Sequence, residues 1–258
     1  MKTIIFVWTH HVCNYITTDT YAFWGLGDIL RGIIHTYQLC KKYGYEFIVD
    51  IQLHPISNYL IYHQHKYSSF ILSQCDSIKF IENTEEYIQS TSDNVIFFET
   101  NSHFKEPISV ECKEFMRALL TPTAALARSI LEAKERLPSI SYTILHYRLG
   151  DRGIIQEGSS DSSMFIKHIN DHKNDTSVLI SDSKELKLAA KENCNIFMFD
   201  IDIGHIGYAK HKDKLKGTLI EFFICQTASS ILTFSIYPWT SGFVKCIHDI
   251  YDIPLFKI

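Results

Sequence analysis

Glycine and proline are scarce in this 258-residue chain, at 11 and 6 residues, which excludes collagen-like repeats and flexible-linker composition. Charge of one sign is lacking too: 25 Lys and Arg stand against 29 Asp and Glu, a net charge of −4 with the histidines neutral. Such a chain carries no basic footprint for nucleic acid or an acidic membrane surface, so nucleic acid is not an expected partner. No run approaches the roughly 18–20 apolar residues of a membrane-spanning helix. The opening stretch Ile4-Ile5-Phe6-Val7-Trp8 is too short for a secretory signal and is interrupted by His10-His11. The seven cysteines (Cys13, Cys40, Cys75, Cys112, Cys194, Cys225 and Cys246) are dispersed, with no CxxC pair. That pattern fits reduced, mostly buried thiols rather than a disulfide framework or a zinc site. A cytoplasmic location is the expectation.

What is present is an ordinary globular composition, 46 % hydrophobic and 21 % charged. A disordered chain, which would lack the apolar residues to offset its ordering entropy, is excluded. The first half opens with a strand-like run, Thr3–Trp8, then a loop holding Gly25-Leu26-Gly27 and a helical pattern from Asp28 to about Tyr43, closed by Gly44. Glu46–Ile51 reads as a strand, Pro55 to about Leu72 as helix-like, and Ser77–Ile81 and Val95–Glu99 as short apolar runs. Val110–Leu137 is rich in helix formers, broken by Pro122 at an expected first helical position. The second half alternates: strand Tyr142–Tyr147, helix Ser162–His172, strand Val178–Ile180, helix Lys184–Asn193 and strand Ile196–Asp200. Helix Leu215–Thr227, strand Ile231–Phe234 and helix Ser241–Tyr251 complete it. Strand–helix alternation with short connections predicts α/β architecture with parallel, doubly wound sheets. Two such units fit the length, residues 1–138 and 139–258, joined near Leu137–Ser141.

Doubly wound sheets bind ligands beyond the carboxyl ends of their strands, so residues following strands are the candidates. Four clusters fall there. In Gly25-Leu26-Gly27-Asp28-Ile29-Leu30-Arg31-Gly32 the glycines admit close backbone approach, while Asp28 either caps the helix or faces a ligand. In His146-Tyr147-Arg148-Leu149-Gly150-Asp151, His146 and Arg148 share a side of the strand end, and a planar guanidinium suits a diphosphate. A structural ion pair with a local carboxylate such as Asp151 is the alternative. Ser181-Asp182-Ser183 caps a helix and is compatible with ligand binding. Finally, Ser235, Trp239, Thr240, Ser241 and Gly242 bridge the last strand and last helix. Hydroxyls and a glycine at a helix N-terminus suit phosphate, and Tyr237 and Trp239 offer stacking faces.

Taken in order, the glycine loop, the H-x-R-x-G-D stretch at His146–Asp151, Ser181-Asp182 and Thr233-Phe234-Ser235 resemble the fucosyltransferase superfamily over about residues 3–255. The resemblance implies a GT-B-like fold, two Rossmann-like doubly wound domains facing a cleft, with an acceptor-side N-terminal domain and a GDP-sugar-binding C-terminal one. It implies inverting, metal-independent transfer of a sugar, fucose above all, from a GDP-sugar to an acceptor hydroxyl on a glycan, with no cofactor beyond the donor. On this likeness Arg148 grips the donor's β-phosphate, His146 and Asp182 contact the guanosine, and Thr240 and Ser241 meet the diphosphate. Asp28 stands where relatives often carry Asn. It is the first candidate for the proton acceptor and Asp151 the second, while Gly25, Gly27 and Arg31 belong to the same cleft-facing start.

His205-Ile206-Gly207 follows a strand and is placed at the donor-cleft edge. Histidines His10-His11, His63-x-His65, His103 and His211 lack the carboxylate or thiol spacing of a metal site, and the one D-x-D match, Asp200-Ile201-Asp202, reads as a strand-to-loop carboxylate pair. No metal is expected. Two rival readings remain: a nucleotide-sugar-binding protein without turnover, and a dinucleotide enzyme. The second is disfavoured because Leu30 stands where G-x-G-x-x-G needs its third glycine.

Overall fold

The computed structural model describes residues 2–8, 25–73, 78–103, 107–150, 163–204, 206 and 214–258. The chain divides into two compact units, Met1–Ala125 with Ile206–Lys212 and Leu126–His205 with Asp213–Ile258. Each carries one parallel sheet, as the strand–helix alternation predicts.

The first sheet has the order β2-β1-β4-β3, from β1 (Thr3–Val7), β2 (Glu46–Asp50), β3 (Lys79–Phe80) and β4 (Val95–Glu99). All its pairings are parallel. β1 lies between β2 and β4 and is buried along its whole length, which explains its unbroken apolar sequence. Helix α1 (Leu26–Tyr43) packs its apolar side on this sheet and ends at Gly44, whose φ of 67° is the left-handed conformation expected of a glycine stop. Gly32 sits where α1 touches the chain leaving β4. A Cβ there would lie 1.8 Å from the Thr100 carbonyl oxygen. Ile4, Leu39, Ile88, Ile96 and Phe98 form one part of this core, and Ile5, Val7 and Ile71 another.

Several elements depart from expectation. Pro55 starts only a 3-10 turn, Pro55–Asn58, held by His54, whose Nδ1 accepts from the Ile56 N–H at 3.1 Å. The chain then runs irregularly until α2 (Ser68–Ser73). Helix α3 (Thr84–Ser90) has no apolar periodicity long enough to announce it. Pro122 is not a first helical residue: it bridges to Leu60 between α4 (Val110–Leu119) and α5 (Ala124–Glu135).

The second sheet has the order β7-β6-β5-β8-β9, again wholly parallel. Its strands are β5 (Thr143–Arg148), β6 (Ser177–Ser181), β7 (Phe197–Met198), β8 (Ser230–Ser235) and β9 (Leu255–Lys257). α6 (Ser163–His172), α7 (Lys184–Asn193), α8 (Leu215–Cys225) and α9 (Gly242–Tyr251) connect them. The strand expected over Ile196–Asp200 is only two residues long, and β9 adds an unforeseen edge to β8. Leu145 and Tyr147 on β5 meet Phe165 and Ile169 on α6 and Leu186 and Ala190 on α7 in the core. From β5 the chain builds outward through β6 and β7, then returns to the other side of β5 with β8 and β9. The direction of winding therefore reverses between β5 and β8, and their carboxyl ends flank the crevice where such sheets take ligands.

Five cysteines among the described residues, Cys40, Cys112, Cys194, Cys225 and Cys246, are buried free thiols. Burial pushes the Cys40 and Cys112 thiols up to about 12. Cys13 and Cys75 lie outside the described residues.

Candidate functional site

Register fixes the reversal point. Arg148, the last residue of β5, pairs with Ser235, the last of β8, while Tyr147 pairs with Ser181, the last of β6. Asp182 therefore emerges one residue beyond β6, beside the chain leaving β5. Its carboxylate forms an ion pair with the Arg148 guanidinium. The same group accepts from the Leu149 N–H at 2.7 Å on one oxygen and from the Gly150 N–H at 3.0 Å on the other. Ser181 has a structural task as well: its hydroxyl donates to the Tyr147 carbonyl at 2.9 Å and accepts from the Ser183 N–H at 3.1 Å. Ser183 then caps α7 through the Leu186 N–H at 3.1 Å.

On the β8 side, the Ile236 N–H donates to the Arg148 carbonyl at 3.1 Å, extending the pairing past both strands. Gly150 has a φ of 101°, and a Cβ on it would meet Tyr237 Oη at 2.8 Å. Tyr237 stacks on Trp239 with centroids 5.0 Å apart and planes 7° from parallel. Trp239 is nonetheless 63 % exposed, so most of its apolar area is not spent on the core. Ser235 Oγ accepts from the Tyr237 N–H at 3.2 Å. Half-buried Thr240 leads into Ser241 and Gly242 at the start of α9. Ser241 makes no side-chain capping bond, so its hydroxyl does not consume the first N–H groups of the helix. Uncapped N–H groups and the helix dipole favour an anion there. Lys257 at the end of β9 donates to the Pro238 carbonyl at 3.2 Å and ties down the Tyr237–Trp239 segment. Sequence reading missed Lys257, because the three-residue strand that carries it has no periodic signal.

His146 faces the interior beneath this rim. It shares a hydrogen bond of 2.9 Å between Nδ1 and the Thr233 hydroxyl and stacks on Phe243 at 6.0 Å. Burial, with the nearby Arg148 charge, pulls its pKa down to about 3, so the ring is neutral at pH 7. On the opposite side of β5, Tyr147 bonds His168 Nδ1 through its hydroxyl at 2.7 Å. Burial pushes the Asp182 carboxyl above the ordinary carboxylate range, opposed by Arg148 and the two N–H groups.

The first-unit candidates form their own cluster. Asp28 Oδ2 accepts from the N-cap Gly25 N–H at 3.1 Å at the start of α1, while Oδ1 pairs with Arg31 at 2.7 Å. Arg31 Nε also donates to the Asn101 carbonyl at 3.0 Å, just beyond β4. This joins the helix that follows β1 to the loop that follows β4, at that sheet's own reversal point. Gly27 is buried within the first turn. Asp151 and His205 lie outside the described residues, as do His10, His11 and His211. Among the described residues no group of three or more His, Cys, Asp or Glu is placed to hold a metal ion. His65 lies 2.9 Å from the buried Asp50 carboxylate, and Asp200 and Asp202 are exposed.

No protein-family model and no curated protein sequence matches the chain. Solved structures do. A variant of Arabidopsis thaliana FUT1 in complex with GDP aligns with a TM-score of 0.58 at 9 % identity, over 99 % of this chain and 70 % of that one. The α-1,6-fucosyltransferase NodZ, co-crystallised with GDP, aligns at 0.58 and 10 % identity over 96 % of this chain and 91 % of its own. Apo POFUT1 aligns at 0.55 and 8 % identity over 100 % and 97 %. The chain shares the fold of these structures. Two parallel α/β sheets of the GT-B kind, read from the sequence, are what it shares with these fucosyltransferases. Among the described residues no helix is long and apolar enough to cross a membrane.

Proposed function

We propose that the chain is an inverting glycosyltransferase that takes a GDP-linked sugar, GDP-fucose first among them, and passes the sugar to an acceptor hydroxyl. The observation that carries this reading is the placement of Arg148. It ends the central strand of the second sheet at the winding reversal, beside a helix whose capping serine makes no side-chain bond to its first N–H groups. GDP occupies the related FUT1 and NodZ structures, which have the same fold. As the bond from the anomeric carbon to the diphosphate breaks, negative charge grows on the leaving phosphate. A fixed guanidinium and helix N–H groups stabilise that charge without reorganising. The Trp239 face, tethered through Tyr237 beside Gly150, suits the flat guanine or the sugar. Asp28 and Arg31 belong to the acceptor side. With one Asp28 oxygen on the Gly25 N–H and the other on Arg31, that pair supports binding of acceptor hydroxyls better than proton abstraction.

The committed carboxylate of Asp28 also favours a second reading, binding of a nucleotide sugar without turnover. The test is calorimetric titration with GDP, UDP and ADP, with and without chelator, followed by transfer from GDP-fucose to a sugar array. Selective GDP binding insensitive to chelator, with transfer, is the expected result. Binding without transfer or donor hydrolysis selects the second reading. Absence of GDP binding refutes both.

A further inference from the structure

We infer that Asp182 is a positioning residue for Arg148 and not a contact to the nucleotide base; the inference rests on the GDP-sugar reading of the site. The Asp182 carboxylate is already shared among three donors: the Arg148 guanidinium, the Leu149 N–H at 2.7 Å and the Gly150 N–H at 3.0 Å. Its side chain is 9 % exposed, so little of it is open to a purine edge. A base contact would need an oxygen turned outward to accept from the ring, and both oxygens are turned inward instead.

The three donors have a common effect. Arg148 carries a long, rotamer-rich side chain whose guanidinium would otherwise sample several positions at the sheet edge. A buried carboxylate on one nitrogen fixes the plane of the fork. The two backbone N–H bonds hold the turn at Gly150, where φ is 101° and Tyr237 lies against the missing Cβ. Asp182 thereby sets both the charge that meets the diphosphate and the floor under the aromatic pair. A group that only positions Arg148 must act through Arg148, and that coupling can be measured.

The experiment is a double-mutant cycle on the full chain with Asp182→Asn, Arg148→Lys and the double variant. Its readouts are kcat and KM for GDP-fucose transfer and the dissociation constants of GDP, ADP and inorganic pyrophosphate. Asp182→Asn should lower kcat at least tenfold with a KM change under threefold. It should weaken GDP and pyrophosphate by similar factors and leave the GDP-over-ADP preference intact. In the Arg148→Lys background the same change should cost less than twofold in kcat. A multiplicative loss in the double variant would overturn the inference, and so would a collapse of GDP-over-ADP preference with pyrophosphate binding unchanged, which marks a base contact. Wild-type protein that binds neither GDP nor pyrophosphate would overturn the GDP-sugar reading itself, and this inference with it. Asp182→Asn places an amide where two N–H donors converge and could perturb folding, so Asp182→Ser is run in parallel with circular dichroism. Folded Asp182→Ser must show the same dependence on Arg148, or the inference fails.

Discussion

Gly150 and Tyr237 are fitted to each other: a Cβ on Gly150 would stand 2.8 Å from the Tyr237 hydroxyl oxygen, at a backbone φ of 101° that side chains rarely adopt. The turn leaving the central strand and the aromatic pair beyond β8 are thus one contact surface. Gly150→Ala strains the turn and displaces the Tyr237 ring together. The expected cost is about 1–3 kcal/mol of stability, with a weaker grip on GDP. Thermal unfolding and Trp239 fluorescence report the two effects separately. A variant with native melting and native GDP affinity contradicts the fit.

Arg148 carries the most exposed consequence of the proposed chemistry. Arg148→Lys retains a charge opposite Asp182 but loses the planar fork. Transfer should fall at least about a hundredfold, the loss seen when one oxyanion donor is removed, while GDP affinity falls less. Steady-state kinetics and calorimetry on the same preparation check this. Arg148→Ala also strips a buried carboxylate of its counter-charge, so circular dichroism belongs beside it. Near-normal transfer in a folded Arg148→Ala protein refutes the placement of the diphosphate.

His146 predicts a pH dependence whose sign follows from its burial. Its pKa is held down to about 3 in the folded chain against 6.5 for the free ring. Between those values the unfolded chain takes up a proton that the folded site refuses. Stability is therefore fully present above pH 6.5 and declines as pH falls toward 3, by up to about 1.4 kcal/mol per pH unit from this one group. His35, pulled down to about 4 mainly by burial, adds a second contribution in the same direction. Urea unfolding from pH 7.5 to 4.5 should show the decline, and His146→Gln should make it shallower without removing the His35 share. An equal slope in that variant contradicts a neutral buried His146.

Gly32 gives a test of the first unit. A Cβ there would lie 1.8 Å from the Thr100 carbonyl oxygen, a backbone atom that cannot swing aside. Gly32→Ala must push α1 off the segment that follows β4, at a cost of about 3 kcal/mol. The shift should also loosen the Arg31–Asn101 bond one residue away. Hydrogen exchange in Leu26–Tyr43 reads the local effect, and chemical unfolding reads the total. An unchanged unfolding midpoint shows that the helix can retreat freely.

Much of the architecture was legible because it rests on local signals. The Gly44 stop, the cap at Ser183 and the apolar runs of β1 and β5 are each written within a few residues. The parallel sheets followed from alternation. Short elements were not legible, since β9 has three residues and β7 two, too few to show a period. The segment after Pro55 misled because its apolar residues follow helix spacing while His54 and the Leu60–Pro122 bridge hold the backbone elsewhere. At the site, Arg148 could be placed at a strand end from sequence alone. Its ion pair with Asp182 could not, because that pair depends on β5–β6 register, in which Tyr147 lies beside Ser181. Asp28 was legible as a cap, three residues after Gly25, and the structure gives it that task.

The order of strands in the second sheet also governs how the crevice comes into being. Arg148 and Asp182 are 34 positions apart, whereas His146 and Thr233 are separated by 87. During synthesis the β5–β6 pair and its ion pair can form on the ribosome long before β8 has been made. Until Ser230–Ser235 slides in on the other flank of β5, the guanidinium stands at a raw edge with no aromatic shelf and no α9 beside it. Closing so long a loop is the slow step of such a topology. The crevice at the carboxyl ends of β5 and β8 is consequently incomplete until β8 has docked.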